Sequence, residues 1–102
     1  MPKVVQTPDF VAFVEALTDG RAYSHVIRTV RKMENGLFGD FKPAGGHGVM
    51  ESRIDYGPGY RIYYLRRGAD IVVLLIGGDK RTQKRDIEKA QELARHWKEK
   101  TS

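Results

Sequence analysis

The stretch Tyr56–Arg85, YGPGYRIYYLRRGADIVVLLIGGDKRTQKR, holds the features from which much of the fold can be predicted. Its Gly57–Gly59 turn precedes a strand, Tyr60–Arg67, and a Gly-Ala turn then leads to the most apolar run of the protein, Ile71–Ile76. Turns this short join antiparallel neighbours, and an uninterrupted apolar run is typical of a strand that is buried on both faces. We therefore predict a β-hairpin whose second strand is central in a sheet and ends where a helix begins.

The residues before this hairpin predict an edge strand, two helices and a further strand. Lys3–Gln6 is a short β-prone segment, and Thr7 is the expected N-cap of a helix that ends at Gly20. A second helix follows over about Arg21–Asn35. Its apolar stripe consists of Tyr23, Val26, Ile27, Val30 and Met33. The alternation of side chains in Val49–Asp55 predicts another strand.

The last predicted element is a helix, Thr82–Lys98, with Thr82 as its N-cap. The apolar side of this helix consists of Ile87, Ala90, Leu93, Ala94 and Trp97. With a short extended segment at Phe38–Pro43, the order β-α-α-β-β-β-β-α predicts a single α+β domain over residues 1–102. We expect a small, mainly antiparallel sheet with an N-terminal α-hairpin and a C-terminal helix, and with the helices mainly against one face.

The chain is basic, with a net charge of +5 and an isoelectric point near 9.6. Residues 51–102 hold 12 Lys and Arg against 8 Asp and Glu, whereas residues 1–50 hold 6 against 5. Such a domain attracts nucleic acid or an acidic protein surface, and a merely solvated Lys-rich surface is the alternative. The absence of cysteine, of a long apolar run and of a secretory signal predicts a cytoplasmic protein with no disulfide and no membrane span.

Residues Gly77–Thr82 lie where the apolar strand ends and the last helix begins. Backbone N–H groups and the helix dipole favour phosphate at such a position, and Lys80 and Arg81 add positive charge. The other glycine-rich pieces, GPG and GGHG, match no nucleotide-binding motif and are interpreted as turns. The three histidines lack metal-ligand spacing and the acidic residues do not cluster, so we expect neither a metal nor a cofactor.

Arginines on the predicted strands are candidates for binding phosphate during cleavage of RNA. Cleavage of RNA without a metal needs cations around the reacting phosphate and a group that protonates the leaving oxygen. Arg53 and Arg61 lie on adjacent predicted strands, and the planar fork of arginine binds two phosphate oxygens. Tyr63, beside Arg61, is a candidate for stacking on a base or for holding a proton. The predicted RNA-binding residues are Arg21, His25, Arg28 and Lys32, a basic stripe on the second helix whose alternative is a solvated surface, and Lys42.

Several runs of this sequence resemble the HigB-like "addiction module killer" branch of the RelE/ParE toxin superfamily. They are DYGPGYRIYYLRRG at Asp55–Gly68, IVVLLIGGDKRTQKRDIEKA at Ile71–Ala90, and Gly39–Pro43 and Glu51–Ile54 upstream. The resemblance covers nearly the whole chain. It implies the toxin of a bacterial type II toxin–antitoxin pair, with a small twisted sheet and two N-terminal helices, and this matches the predicted order of elements.

The resemblance also implies roles for individual residues. The arginine of the G-Y-R motif corresponds to Arg61, which would contact phosphate, and a basic residue of the preceding strand corresponds to Arg53. The basic pair after the last strand corresponds to Lys80 and Arg81, of which the arginine would stabilise the transition state. The last helix departs from the family pattern, because Ile87 stands where RelE-type toxins carry a catalytic tyrosine. The candidate substitutes are Tyr63, Tyr64, His47 and Asp79.

The activity that the resemblance implies is a ribosome-dependent mRNA endonuclease. Its partners would be the ribosome, mRNA and a cognate antitoxin of the helix-turn-helix type, encoded by an adjacent gene. Two alternatives stay open. ParE-like members of the superfamily poison DNA gyrase and need no nuclease residues, and the missing tyrosine fits that behaviour. A basic module that has lost toxicity and only binds an antitoxin is the other alternative.

Overall fold

The computed structural model describes the backbone of residues 2–101 and the side chains of residues 2–97. The strands are β1 (Lys3–Gln6), β2 (Asp40–Pro43), β3 (Met50–Ile54), β4 (Tyr60–Arg67) and β5 (Ile71–Asp79). The helices are α1 (Pro8–Glu15), α2 (Gly20–Glu34) and α3 (Gln83–Thr101), the last preceded by a 3₁₀ turn, Lys80–Thr82. The sheet has the order β1-β5-β4-β3-β2, and its pairs are antiparallel except for the parallel pair β1–β5. The predicted α+β class, with its α-hairpin, mainly antiparallel sheet and C-terminal helix, is confirmed.

The sheet is covered by helices on both faces. α1 and α2 pack on one face, in a core that includes Phe10, Val26, Val30, Met33, Ile62, Tyr64, Val72 and Leu74. α3 packs on the other, in a core that includes Val49, Tyr63, Leu65, Val73, Leu75, Ala90 and Ala94. The expectation that the helices lie mainly against one face is therefore wrong. Because β4 and β5 are apolar at consecutive positions, each presents apolar side chains to both faces, and both faces need a cover that excludes water.

Two glycines at the end of β5 allow helices to approach this strand closely. β5 continues beyond the predicted apolar run through Gly77 and Gly78, which pair with β4. A Cβ atom on Gly77 would collide with the ring of Phe13 in α1, and one on Gly78 would collide with the carboxylate of Asp86 in α3. The pair of glycines thus has a packing role on each face of the sheet.

Thr7 fixes the start of α1 to the sheet, and its prediction as an N-cap is confirmed. Its hydroxyl oxygen accepts a hydrogen bond from the backbone N–H of Phe10 at 3.0 Å, which satisfies one of the free donors at the helix start. The same hydroxyl donates to the carbonyl oxygen of Leu75 in β5 at 2.6 Å. One buried side chain therefore sets the position of α1 relative to the central strands.

The buried stripe of α2 differs from the prediction at its first position. Asp19 is the N-cap, with Oδ1 accepting from the backbone N–H groups of Arg21 at 2.9 Å and Ala22 at 3.4 Å. The completely buried positions near the start then include Ala22, whereas Tyr23 is 47% exposed. The prediction that Tyr23 lies in the core is wrong, because a stripe through Ala22 and Val26 rotates Tyr23 to the margin of the buried side.

The turn between β5 and α3 is capped by Asp79 and not, as predicted, by Thr82. Oδ1 of Asp79 accepts a hydrogen bond from the backbone N–H of Arg81 at 2.8 Å. The hydroxyl of Thr82 instead donates to Oδ2 of Asp86 at 2.5 Å.

Of the helices within residues 2–101, none is both long enough and apolar enough to cross a membrane.

Candidate functional site

Two neighbouring rows of side chains cross the face of the sheet on which α3 packs. The successive cross-strand partners from β2 to β5 are Asp40, Arg53, Arg61 and Gly78 in one row, and Lys42, Glu51, Tyr63 and Ile76 in the next. Direct partners point to the same face, and Tyr63 belongs to the core beneath α3, so both rows lie on that face. Lys80 and Arg81 follow directly at the end of β5. We refer to Lys42, Arg53, Arg61, Lys80 and Arg81 as the cationic corner.

Arg53 and Arg61 share this face, as the alternation of the strands predicted, but their environments differ. The side chain of Arg53 is 53% exposed, and its Nε lies 4.0 Å from Oδ2 of Asp40. The side chain of Arg61 is buried: Nη1 donates to the carbonyl oxygen of Gly59 at 3.0 Å, and Nε lies 3.6 Å from Oε2 of Glu51. Arg53 can therefore meet a ligand, whereas Arg61 is held from within the protein.

The guanidinium of Arg81 forms a hydrogen-bonded ion pair with the carboxylate of Asp79. Nη2 donates to Oδ2 at 2.8 Å, and Nε lies 3.3 Å from the same oxygen. This side-chain hydrogen bonding is the main reason why the pKa of Asp79 lies below its usual range. The Arg81 side chain is 79% exposed and that of Asp79 only 14%, so the outer side of the guanidinium is open to a phosphate while the pair persists. Lys80, beside it, is also exposed.

The junction between β5 and α3 does not present an open helix N-terminus. The backbone N–H of Arg81 already donates to Asp79, and the carboxylate of Asp86 lies over Gly78, where a phosphate would have to approach. Two carboxylates thus occupy the position that the sequence suggested for an anion. The prediction that backbone groups bind phosphate here is corrected, and the side chains of Lys80 and Arg81 are what the junction offers to an anion.

Tyr63 is completely buried between the sheet and α3. Burial, and then the negative charge of Glu51, raise the pKa of its phenol, so the hydroxyl stays protonated. That hydroxyl has no hydrogen-bond partner among the described residues. A base cannot stack on a ring without exposed surface, so the interpretation of Tyr63 as a stacking residue is wrong. The interpretation that it holds a proton stays a prediction.

The other residues considered in place of the family tyrosine lie apart from one another. Ile87 is half-buried against the core beneath α3, as predicted. Tyr64 is buried on the opposite face, where burial raises its pKa to about 12. His47 lies in the loop before β3 and lines a pocket with Glu88 of α3. Of these candidates, Asp79 is the one that adjoins the cationic corner.

The basic stripe of α2 lies on the opposite face of the sheet from the cationic corner. Its exposed members are Arg21, Arg28 and Lys32. His25 is half-buried, and its ring stacks on Tyr56 with 4.5 Å between the ring centroids. Lys42, which was predicted together with the stripe, belongs to the corner, because its Nζ lies 4.0 Å from Oε2 of Glu51. The structure therefore separates two basic surfaces.

Glu51 is a site residue that was not predicted. Its side chain is 1% exposed, and Oε1 accepts a hydrogen bond from Nε2 of Gln83 at 3.3 Å. Side chains alternate along β3, so Glu51 and Arg53 lie on the same face. This spacing in the sequence could have predicted that the Glu51 carboxylate lies near the cations. Within residues 2–97, no three His, Asp or Glu side chains form a group that could hold a metal ion.

A five-stranded sheet with helices on both faces and cations gathered at one corner defines a small, basic α+β domain. Residues 13–96 match the model of a family described as "Phage derived protein Gp49-like (DUF891)", and the chain belongs to this family. The family is related to toxin–antitoxin systems. The chain is also similar to an uncharacterized protein of Haemophilus influenzae, which is 37% identical over 92 residues that cover 90% of this chain and 92% of the relative.

Proposed function

We propose that the chain is the toxin of a bacterial type II toxin–antitoxin module, from the HigB-like branch of the RelE/ParE superfamily. It acts in the cytoplasm as a metal-independent, ribosome-dependent mRNA endonuclease and so inhibits translation. The observation that carries this proposal is the pairing of Arg53 with Arg61 on one face, beside Lys42 and close to Lys80 and Arg81. Membership of a family related to toxin–antitoxin systems supports it.

The proposed reaction is attack of a ribose 2′-OH on the adjacent phosphorus, which leaves a 2′,3′-cyclic phosphate and a 5′-OH. Negative charge grows on the phosphate oxygens in the transition state, and cations that are already in position stabilise it without reorganisation. Arg53, which is exposed, contacts the phosphate first, and Arg61 adds a guanidinium of fixed orientation. The guanidinium of Arg81 binds the same phosphate through its outer side while its ion pair with Asp79 persists, and Lys80 adds positive charge.

The two basic surfaces have different proposed partners. An acidic or extended segment of the cognate antitoxin, a helix-turn-helix protein encoded by an adjacent gene, covers the cationic corner and holds the toxin silent. The stripe on α2 contacts ribosomal RNA through its phosphates, so that one surface docks the protein while the other performs the reaction. Because α2 lies on the opposite face of the sheet from the corner, the stripe can contact ribosomal RNA while the corner binds the mRNA phosphate.

A reconstituted translation reaction with the purified protein tests this function. The wild type is expected to cleave mRNA only while ribosomes translate it, and primer extension locates the cuts. Arg53→Ala is expected to lower the cleavage rate about tenfold to a hundredfold, since a hydrogen bond to a charged group contributes about 1.5–3 kcal/mol. Arg95→Ala, which removes another exposed arginine from the second half of α3, is the matched control and leaves the rate unchanged. Absence of ribosome-dependent cleavage by the wild type overturns the proposal.

Gyrase poisoning of the ParE type is the second candidate, and the buried groups of the site favour it. Ile87 stands in place of the family tyrosine, while Arg61 and Tyr63 are buried, and a protein-binding toxin needs none of these side chains to be free. Growth arrest that survives alanine at both Arg53 and Arg81, together with gyrase–DNA cleavage complexes, would select this candidate. Induction without an antitoxin that leaves growth unaffected would point instead to a non-toxic, antitoxin-binding module.

A further inference from the structure

Glu51 is an acidic residue buried within a basic surface. Its cross-strand neighbours are Lys42 on β2 and Tyr63 on β4, and its Oε1 accepts a hydrogen bond from Gln83 at the start of α3. Its Oε2 lies 3.6 Å from Nε of Arg61 and 4.0 Å from Nζ of Lys42. This oxygen accepts no hydrogen bond from any residue that the structure describes. One carboxylate oxygen is thus shared by two cations of the corner.

Stability does not account for this arrangement. Removing a carboxylate and a guanidinium from water costs free energy that an ion pair without a close hydrogen bond does not return, and packed apolar residues of similar volume are often at least as stable. The buried polar atoms without a hydrogen-bond partner in the described part of the chain are Oε2 of Glu51, Nε of Arg61 and the hydroxyl of Tyr63. A buried charge of this kind, beside one buried and one exposed cation, indicates a role in the site.

The side chain of Glu51 is 1% exposed and so offers a substrate almost no surface, which leaves its neighbours as the groups through which it can act. Of the two cations beside this carboxylate, Arg61 lies nearer, at 3.6 Å against 4.0 Å for Lys42. Nη1 of Arg61 donates to the carbonyl oxygen of Gly59, Nε faces Glu51, and Nη2 makes no hydrogen bond to any described residue. The guanidinium is thus held by one hydrogen bond and one ion-pair contact, and Nη2 is the nitrogen left to bind an anion.

We propose that Glu51 is a positioning residue of the cationic corner. Its carboxylate holds Arg61 from inside the protein and Lys42 from the edge of the sheet, and so sets the spacing of the two cations around one phosphate group. Lys42 is 59% exposed and reaches this carboxylate from the outer strand, so the carboxylate links a buried cation to an exposed one. This inference rests on the proposed function for its substrate, an RNA phosphate.

The variant Glu51→Gln tests the inference, because it keeps the shape of the side chain and removes its charge. It is expected to lower kcat for cleavage of ribosome-bound mRNA by about tenfold to a hundredfold, the effect of a displaced catalytic group. KM is expected to stay nearly unchanged, since the exposed cations and the α2 stripe still bind the ground state. Glu51→Asp, which keeps the charge and retracts the carboxylate by one methylene, repeats the comparison if Glu51→Gln does not fold.

Ser52→Ala is the matched control. Ser52 follows Glu51 in β3, is also 1% exposed and points to the other face, where its hydroxyl donates to the carbonyl oxygen of Phe38 at 3.0 Å. Its loss removes a buried polar contact of the same strand, so the melting temperature is expected to fall while kcat is unchanged. An equal fall of kcat in Ser52→Ala and Glu51→Gln would mean that Glu51 is merely structural, and would overturn the inference.

A measurement that needs no cleavage separates this inference from the proposed function. In ¹⁵N–¹H spectra of the full chain, the Nε–H signal of Arg61, assigned with Arg61→Lys, reports how firmly the guanidinium is held. Glu51→Gln is expected to speed hydrogen exchange of this group about tenfold, because the guanidinium loses the charge that restrains it. That result with an inactive wild type would reject the nuclease and support the positioning role. Unchanged exchange would overturn the positioning role even if the wild type cleaves mRNA.

Discussion

Arg53 and Arg61 are direct cross-strand partners in β3 and β4, yet 53% of one side chain is exposed and only 9% of the other. The difference fits the packing of α3, which lies mainly on β4 and β5 and so covers Arg61 of β4 more than Arg53 of β3. One row of the sheet therefore combines an arginine that can meet a ligand with an arginine that is held in position.

Gly78→Ala is expected to destabilise the protein by about 1–3 kcal/mol, because the added methyl group has no space in a packed region. The new Cβ would collide with the carboxylate of Asp86 and crowd the hydroxyl of Thr82, and so would push the start of α3 away from β5. Thermal unfolding measures the effect. Gly20→Ala, at the first residue of α2, is the control, because no atom lies within 4 Å of the added Cβ. Equal melting temperatures of the two variants would contradict the close packing of α3 on Gly78.

Tyr63→Phe is expected to leave the free energy of unfolding unchanged or to raise it. The hydroxyl that it removes is buried and has no partner among the described residues, so no hydrogen bond is lost. Tyr56→Phe is the contrast, because it removes a hydroxyl that donates to Oδ2 of Asp19 at 3.0 Å, and it is expected to lower the melting temperature. The cleavage rate of Tyr63→Phe tests whether Tyr63 holds a proton in the reaction, since that interpretation predicts a lower rate. A large loss of cleavage with a normal melting temperature would identify Tyr63 as the proton donor.

Asp79→Asn is expected to alter how stability depends on pH. The pKa of Asp79 is lowered from 3.8, first by the side-chain hydrogen bond of Arg81, so the ionised carboxylate favours the folded state. This contribution is complete above the unfolded-state pKa and is lost as the pH falls through the lower folded-state pKa. The wild type should therefore exceed Asp79→Asn in free energy of unfolding at pH 6, and the difference should vanish in acid.

Denaturant unfolding between pH 6 and pH 2 measures this difference. Asp55→Asn is the control, since Asp55 is exposed and forms no ion pair or hydrogen bond with another described side chain. A constant difference between the wild type and Asp79→Asn across the whole range would contradict the ion pair with Arg81.

Charge reversal at Arg28 and Lys32 tests the proposed contact of α2 with ribosomal RNA. Both side chains are exposed, so the double variant to Glu should fold normally. It is expected to bind ribosomes about tenfold or more weakly at low salt, with a shallower dependence of log affinity on log salt, because fewer phosphates are neutralised. Arg95→Glu controls for the change in net charge. Cosedimentation with ribosomes that is equal for all three proteins would mean that the stripe is only a solvated surface.

The local elements of the fold could be predicted because their signals lie in adjacent residues. The short turns and the apolar run of Tyr56–Arg85 predicted the hairpin of β4 and β5, and Thr7 was recognised as a cap from the Thr-Pro-Asp sequence. The shared face of Arg53 and Arg61 followed from strand alternation alone. These predictions needed no knowledge of how the elements pack.

The remaining features depend on contacts between elements that are distant in sequence. The position of α3 on the opposite face from α1 and α2 follows from filling two cores, and no local motif encodes that choice. Glu51 is buried because α3 covers it and Gln83 donates a hydrogen bond to it. The alternation of side chains in β3 does not show this cover, so from the sequence Glu51 resembled an exposed acid. Tyr63 was expected to be accessible for the same reason, since a strand pattern does not show which positions a helix will cover.

The chemical ends of the cleaved mRNA test the central claim most directly. Attack by the 2′-OH, assisted by cations, should leave a 2′,3′-cyclic phosphate and a 5′-OH on transcripts that are cut during translation. Arg53→Ala should yield about tenfold less of this product, and Arg95→Ala should yield as much as the wild type. Intact transcripts, or 5′-phosphate ends that form equally with Arg53→Ala, would contradict it.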